Sequence, residues 1–409
     1  MGTTHGRRFR TGLGILAAAA AIACNGPRAE DPDQLWRDAE SSLRARRFDD
    51  AQGLFERLGK ARAPLPRDWM LRAQIALARK QADEALAALA EIPDDAALAS
   101  QARLLAGQIE LRRDRARFAE KYLLEAIRLD PKAAQPRREL IFIYGMQLRR
   151  RELSEQFTAL SEISALRYEN LFHWCLMRNC QWEAGEVAQT LGKFLEADPE
   201  DRESRLALAD NDRRLGLYDA AEEALAPLPE NDHRALALRV MILMERRQED
   251  RAEELLAADH SDDPELARLK GRIALARRDG PEALRWYRIA YDDDRTNRDA
   301  VFGLIHAYDL CGQPEKAAPL RKEAEALEAF NSLVQRMATP AGRSDPDMIR
   351  HAARACAQAG LIPEARGWLK LAISRDPLDA SAQQELFRFN EKHPPEKDRL
   401  AGTRPAHEF

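Results

Sequence analysis

The chain has 409 residues, 45% hydrophobic, 32% charged and only 6% aromatic, with a formal net charge of −4. Basic and acidic residues are interspersed without a long single-sign block, which argues against nucleic acid as the main partner. Beyond Cys24 only Cys175, Cys180, Cys311 and Cys356 follow, too few for a disulfide framework, and the dominance of Ala, Leu, Arg and Glu points to an all-helical chain.

The first element is the uncharged run from Thr11 to Ala23, behind Arg7, Arg8 and Arg10. It is shorter than the roughly 20 residues of a spanning helix. Basic start, short apolar stretch and small residues at the end are the layout of a signal peptide over residues 1–23. Ala21-Ile22-Ala23 fits ordinary signal peptidase. With Cys24 it also resembles a bacterial lipobox, in which Cys24 becomes the lipidated first residue. Residues 24–31 are then a polar tether. The expectation is an exported chain on the periplasmic face of the cell envelope, touching membrane through the N-terminal lipid only. Asn25 after the cysteine favours the outer membrane.

A repeat follows. Ala51, Ala85, Ala119, Leu153, Val187 and Ala221 occupy the same place in successive helical segments, and each lies 34 residues after the last. The series continues at Ala252, Ala283, Ala317 and Ala365, with intervals of 31, 31, 34 and 48. Small residues at these positions let two helices cross closely, and large residues three or four away fill the grooves. Pro131, Pro199 and Pro377 close the second helices, which they cannot continue. One hairpin cannot bury its apolar stripe, so the hairpins stack. This divides the chain into repeats over 32–321, a long helix or insertion over 322–345, a last repeat with a capping helix over 346–391, and a disordered tail over 392–409.

A 34-residue helix–turn–helix with these residues resembles the tetratricopeptide repeat. The clearest unit, residues 347–377, has Ile349, Ala353, Cys356, Gly360, Ile362, Ala365, Leu369, Ala372 and Pro377 at the signature positions. Gly271, Ala283, Tyr287 and Ala290 mark another, and Gly312 and Gly216 sit at matching turns. The fourth and fifth units depart, with Leu153, Cys175 and Val187 where smaller or different residues are usual. The resemblance implies a right-handed superhelical solenoid of about ten hairpins.

Sites of chemistry are scarce. There is no phosphate-binding glycine loop, HExxH, GxSxG or CxxCH. His173, Cys175 and Cys180 cluster in HWCLMRNCQW, but His173 and Cys175 point to different sides of a helix, and Cys175 falls at a packing position. His306 and Asp309, three apart, read as a groove-lining pair rather than a general base. LRRRE at 148–152 reads as the basic end of a first helix. No catalytic residue, metal site or cofactor is expected.

The resemblance implies binding on the concave side. The family's groove positions fall on Phe142, Met146, Phe172, Leu176 and Asn179 in the middle, then Arg213, Arg214, Met241, Met244, Arg272 and His306. Met-rich apolar grooves suit helices or extended peptides. The expected function is a non-enzymatic scaffold or assembly factor of the cell envelope that binds a protein or peptide. The alternative is an adaptor that positions a separate envelope enzyme, for polysaccharide or cytochrome maturation.

Overall fold

The structure is a computed structural model that describes residues 30–178, 183–345 and 347–395. The expected signal peptide, Cys24, Asn179, Cys180 and the tail from Glu396 lie outside the described residues. Among those described there are 22 helices and no strand. Four hairpins come first: α1 (Pro32–Arg44) with α2 (Phe48–Ala61), α3 (Pro66–Ala78) with α4 (Ala82–Ala90), α5 (Ala99–Arg112) with α6 (Ala116–Leu129), and α7 (Ala134–Met146) with α8 (Arg150–Ile163). Then come α9 (Tyr168–Met177) and α10 (Ala184–Ala197). Four more hairpins follow: α11 (Arg202–Arg214) with α12 (Tyr218–Leu225), α13 (His233–Glu245) with α14 (Glu249–Ala257), α15 (Pro264–Ala276) with α16 (Gly280–Asp293), and α17 (Arg298–Leu310) with α18 (Pro314–Ala338). A short α19 (Pro340–Ser344), the pair α20 (Met348–Gln358) and α21 (Ile362–Arg375), and α22 (Ala380–Lys392) complete the chain.

The turns carry the repeat as clearly as the helices do. Arg46, Lys80, Asp114, Leu148, Gly216, Arg247, Arg278, Gly312 and Gly360 all have φ between 54° and 77°. Each ends a first helix in the left-handed conformation, and the N–H of the next residue reaches back five positions, as in Arg47 to Ser42 and Arg149 to Tyr144, both at 2.9 Å. Five residues after each left-handed position stands the aligned small residue of the repeat. Ala51, Ala85, Ala119, Ala221, Ala252, Ala283, Ala317 and Ala365 are fully buried, and Leu153 nearly so. The four first helices α11, α13, α15 and α17 start at an acidic or amide cap: Asp201, Asp232, Asp263 and Asn297 accept from backbone N–H groups of the first turn. Such a cap contributes about 1 kcal/mol.

Two glycines make room for one ring at Tyr287. Its ring lies between Gly271 on α15 and Gly303 on α17, and a Cβ on either glycine would stand inside van der Waals contact with it. Successive first helices touch (α11 with α13, α13 with α15, α15 with α17), while successive second helices do not pack to that extent. The shorter inner arc is therefore built of first helices.

The regular stack breaks at α9. It does not pack along α10; it lies against α8, α18 and α21, while α10 packs on α7 and α11. The arc from α10 to α21 thus returns to helices it left far back in sequence and closes a ring. Lys370 on α21 reaches the Ser161 carbonyl at 2.9 Å and Glu162 at 2.8 Å. Tyr168 meets Trp368 edge-on at 5.3 Å, and Trp174, buried in the same seam, stacks on Phe157 at 5.3 Å. One apolar core accordingly runs from Ala116 to Ala207 and again from Ala274 to Leu371. Helices α11–α15 carry two smaller clusters that complete the arc, and the N-terminal hairpins form a separate arm with two clusters of their own.

The 48-residue interval has a different form from the one expected. The long helix begins at Pro314, not at 322, so the extra length is an extension of the second helix of its hairpin. Its buried face, Ala317, Leu320, Ala324, Leu327, Phe330 and Val334, keeps helical spacing throughout.

Candidate partner-binding surface

The expected middle of the groove is largely internal. Met146 is 4% exposed and belongs to the main core, which corrects its assignment to a binding surface. Phe142, Phe172 and Leu176 are half-buried against that same core, with Phe172 stacked on Tyr168 at 6.5 Å. For Phe172 and Leu176 the reason is ring closure: the face of α9 that an open stack would offer to a ligand is packed against α18 and α21, while α7, which carries Phe142 and Met146, packs on α6, α8 and α10. Cys175 is buried as its packing position required, while His173, two residues away, is exposed. Among the described residues no group of three or more His, Cys, Asp or Glu side chains could hold a metal ion.

The charged flank is tied up internally. Arg213 and Arg214 both bind Asp210, at 2.6 Å and 3.0 Å, and Arg213 also pairs with Glu245. Burial alone would raise the Asp210 pKa, but Arg214 and Arg213 hold it below the usual carboxylate value. Asp309 accepts from Arg321 at 2.7 Å and 2.8 Å, so its carboxylate is engaged away from a general-base pairing with His306.

LRRRE has a role that its sequence reading missed. Leu148 is the left-handed turn residue, so Arg149, Arg150 and Arg151 open α8 instead of ending α7. Three cations at a helix N-terminus oppose the helix dipole and need partners. Arg149 binds Glu120 on α6 at 2.7 Å, and the carboxylate raises its pKa against the penalty of burial. Arg150 donates to the Met177 carbonyl at the end of α9 at 3.0 Å. Burial, reinforced by the charge of Arg214, lowers the Arg150 pKa, and Asp210 and Glu265 oppose this across the inner arc. Arg151 reaches Asp293 at the end of α16 at 2.7 Å. The start of α8 is therefore a hub that the arc wraps around. Local pattern could not reveal it: apart from Glu152 and Gln147, which Arg149 also meets at short range, the partners lie on other repeats.

What stays open is the inner face farther along. Met241 and Met244 on α13 are half-buried at the edge of their clusters, and Arg268 on α15 approaches the Met241 sulfur at 3.9 Å. Arg272 and His306 are exposed. A shallow pocket of about 390 Å³ lies between α15 and α17, lined by Leu275, His306, Asp309 and Leu310.

Residues 241–298, from the middle of α13 to the first residue of α17, match the family model of the tetratricopeptide repeat. Over these residues the chain is similar to the tetratricopeptide repeat. Solved structures similar to it include a tetratricopeptide repeat protein from Parabacteroides merdae (16% identity, 59% of this chain and 98% of that one, TM-score 0.32). Another is the C-terminal part of a TPR repeat-containing protein from Cytophaga hutchinsonii (14% identity, 66% and 99%, TM-score 0.30). A third is the APC/C hetero-tetramer Cut9–Hcn1 (13% identity, 88% and 96%, TM-score 0.33). No curated protein matches the sequence. The tetratricopeptide stretch that the family model covers contains Met241, Met244 and Arg272, the part of the expected groove that remains accessible.

Proposed function

We propose that this chain is a non-enzymatic scaffold or assembly factor of the bacterial cell envelope. In this reading it is exported by its signal peptide, held to the membrane through Cys24, and takes a protein or peptide partner on the inner face of α13–α17. The observation that carries the binding reading is the selective openness of that stretch. Phe142, Met146, Phe172 and Leu176 are given over to the core, whereas Met244, Arg272, His306 and the exposed Leu310 line one inner face. Flexible thioether and apolar groups beside unpaired basic groups fit an amphipathic segment with acidic residues.

A photo-cross-linking residue placed at Met244 or His306 in cells tests this. The expected result is a discrete covalent adduct to another protein from these positions and none from Leu65, an exposed residue on the N-terminal arm. Equal labelling at all three positions, or none at Met244 and His306, would remove the inner face as the binding surface.

A further inference from the structure

Cys175 on α9 and Cys356 on α20 face each other across the ring closure, with sulfurs 3.9 Å apart and 181 residues between them in sequence. Cys356 has no solvent exposure and Cys175 has 2%. Trp368 of α21 donates its indole N–H to the Cys175 sulfur at 3.4 Å, so the pair is held at the centre of the seam. We propose that Cys175 and Cys356 are a redox-responsive pair whose disulfide locks the C-terminal hairpin onto α9. A disulfide needs sulfurs at about 2.0 Å, so oxidation must draw the two facing side chains closer by about half of their present separation.

Burial pushes the Cys356 thiol pKa well up, and the seam shields both sulfurs, so the closed state resists reaction. Reaction belongs to moments when the seam opens. The oxidant is a low-molecular-weight disulfide such as glutathione disulfide. One cysteine thiolate attacks a sulfur of the reagent, giving a mixed disulfide and one glutathione thiolate. The second cysteine loses its proton to water, attacks the protein-side sulfur and expels the other glutathione. Two protein thiols and one disulfide thus become one protein disulfide and two glutathione thiols. The reduced chain can release the hairpin from α9; the oxidised chain cannot.

The full chain, reduced and then held with glutathione disulfide below its unfolding temperature, tests this by peptide mapping after alkylation of the remaining thiols. Expected are linked peptides joining Cys175 to Cys356 and a rise in Tm on the order of 5 °C, because a long loop is closed. Cys356→Ser should lose both effects and Cys311→Ser should keep both. Recovery of Cys175 and Cys356 as separate thiols or separate glutathione adducts would overturn the proposal. So would linkage of either to Cys24, Cys180 or Cys311, or a Cys175–Cys356 link that leaves Tm unchanged or lower. The wild-type measurement decides by itself, so a variant that fails to fold does not rescue the idea.

Discussion

Arg178 Nε lies 2.6 Å from the Glu364 carboxylate, 186 residues further along the chain. The carboxylate is fully buried, and the same guanidinium reaches Thr296 Oγ1 at 2.8 Å, so one side chain ties the end of α9 to α21 and to the loop before α17. Burial disfavours the charge on Arg178, yet Glu364 raises its pKa above the ordinary value. Arg178→Gln would leave a buried carboxylate without its cation. The expected loss is about 3–5 kcal/mol in urea unfolding. The double variant Arg178→Gln, Glu364→Gln should recover much of it. A single variant as stable as the wild type would show that the seam does not depend on this pair.

The Tyr287 contact gives a second prediction. Gly303→Ala places a methyl group against a rigid ring held from both sides, with an expected cost of about 1–3 kcal/mol. Gly53→Ala on α2 is the control: a Cβ there meets nothing within 4 Å. It should stabilise slightly, by up to about 1 kcal/mol, through helix propensity. Thermal melts of the two variants should shift in opposite directions.

Asp210 predicts a pH dependence. Its folded pKa is depressed by Arg214 and Arg213 against the burial penalty, so its contribution is present above the unfolded value of about 3.9. That contribution is lost as pH falls through the folded pKa, below that value. Asp210→Asn should therefore be less stable than the wild type at pH 6–7, by about 1–3 kcal/mol for a charged, mostly buried hydrogen-bond acceptor. The gap should close on acidification below roughly pH 4. A gap that is constant with pH would mean the lost interaction is packing and not charge.

Cys24→Ala should move the protein from the membrane fraction to the soluble periplasmic fraction and abolish labelling by a fatty-acid probe. Membrane retention without Cys24 would reject the lipid anchor.

The hairpins were legible because their causes are local. A left-handed turn residue with a buried Ala five positions later recurs in most of the hairpins, and prolines such as Pro131, Pro199 and Pro377 close some second helices; each acts on neighbours in its own hairpin. The ring was not legible, because nothing near Cys175, Trp174 or LRRRE in sequence marks their partners on α16, α20 and α21. The fifth unit keeps the period at Val187 but departs from the repeat at Cys175 and Val187, and there its two helices part. The groove positions of α7 and α9 misled: Phe142, Met146, Phe172 and Leu176 are apolar because they face core, whereas Arg272 and His306 sit on first helices with an open inner side.

Ring closure also changes how the chain can fold. An open array adds hairpins one at a time, each resting on contacts near in sequence. Here the seam joins residues nearly two hundred positions apart, and the entropy of that loop must be met before any seam contact forms. Closure is therefore expected to be a late event, with the last hairpin as a keystone. Deleting residues 347–395 would expose Trp174 and Leu171 far upstream, so the damage from a C-terminal truncation would appear in the middle of the chain rather than at its end.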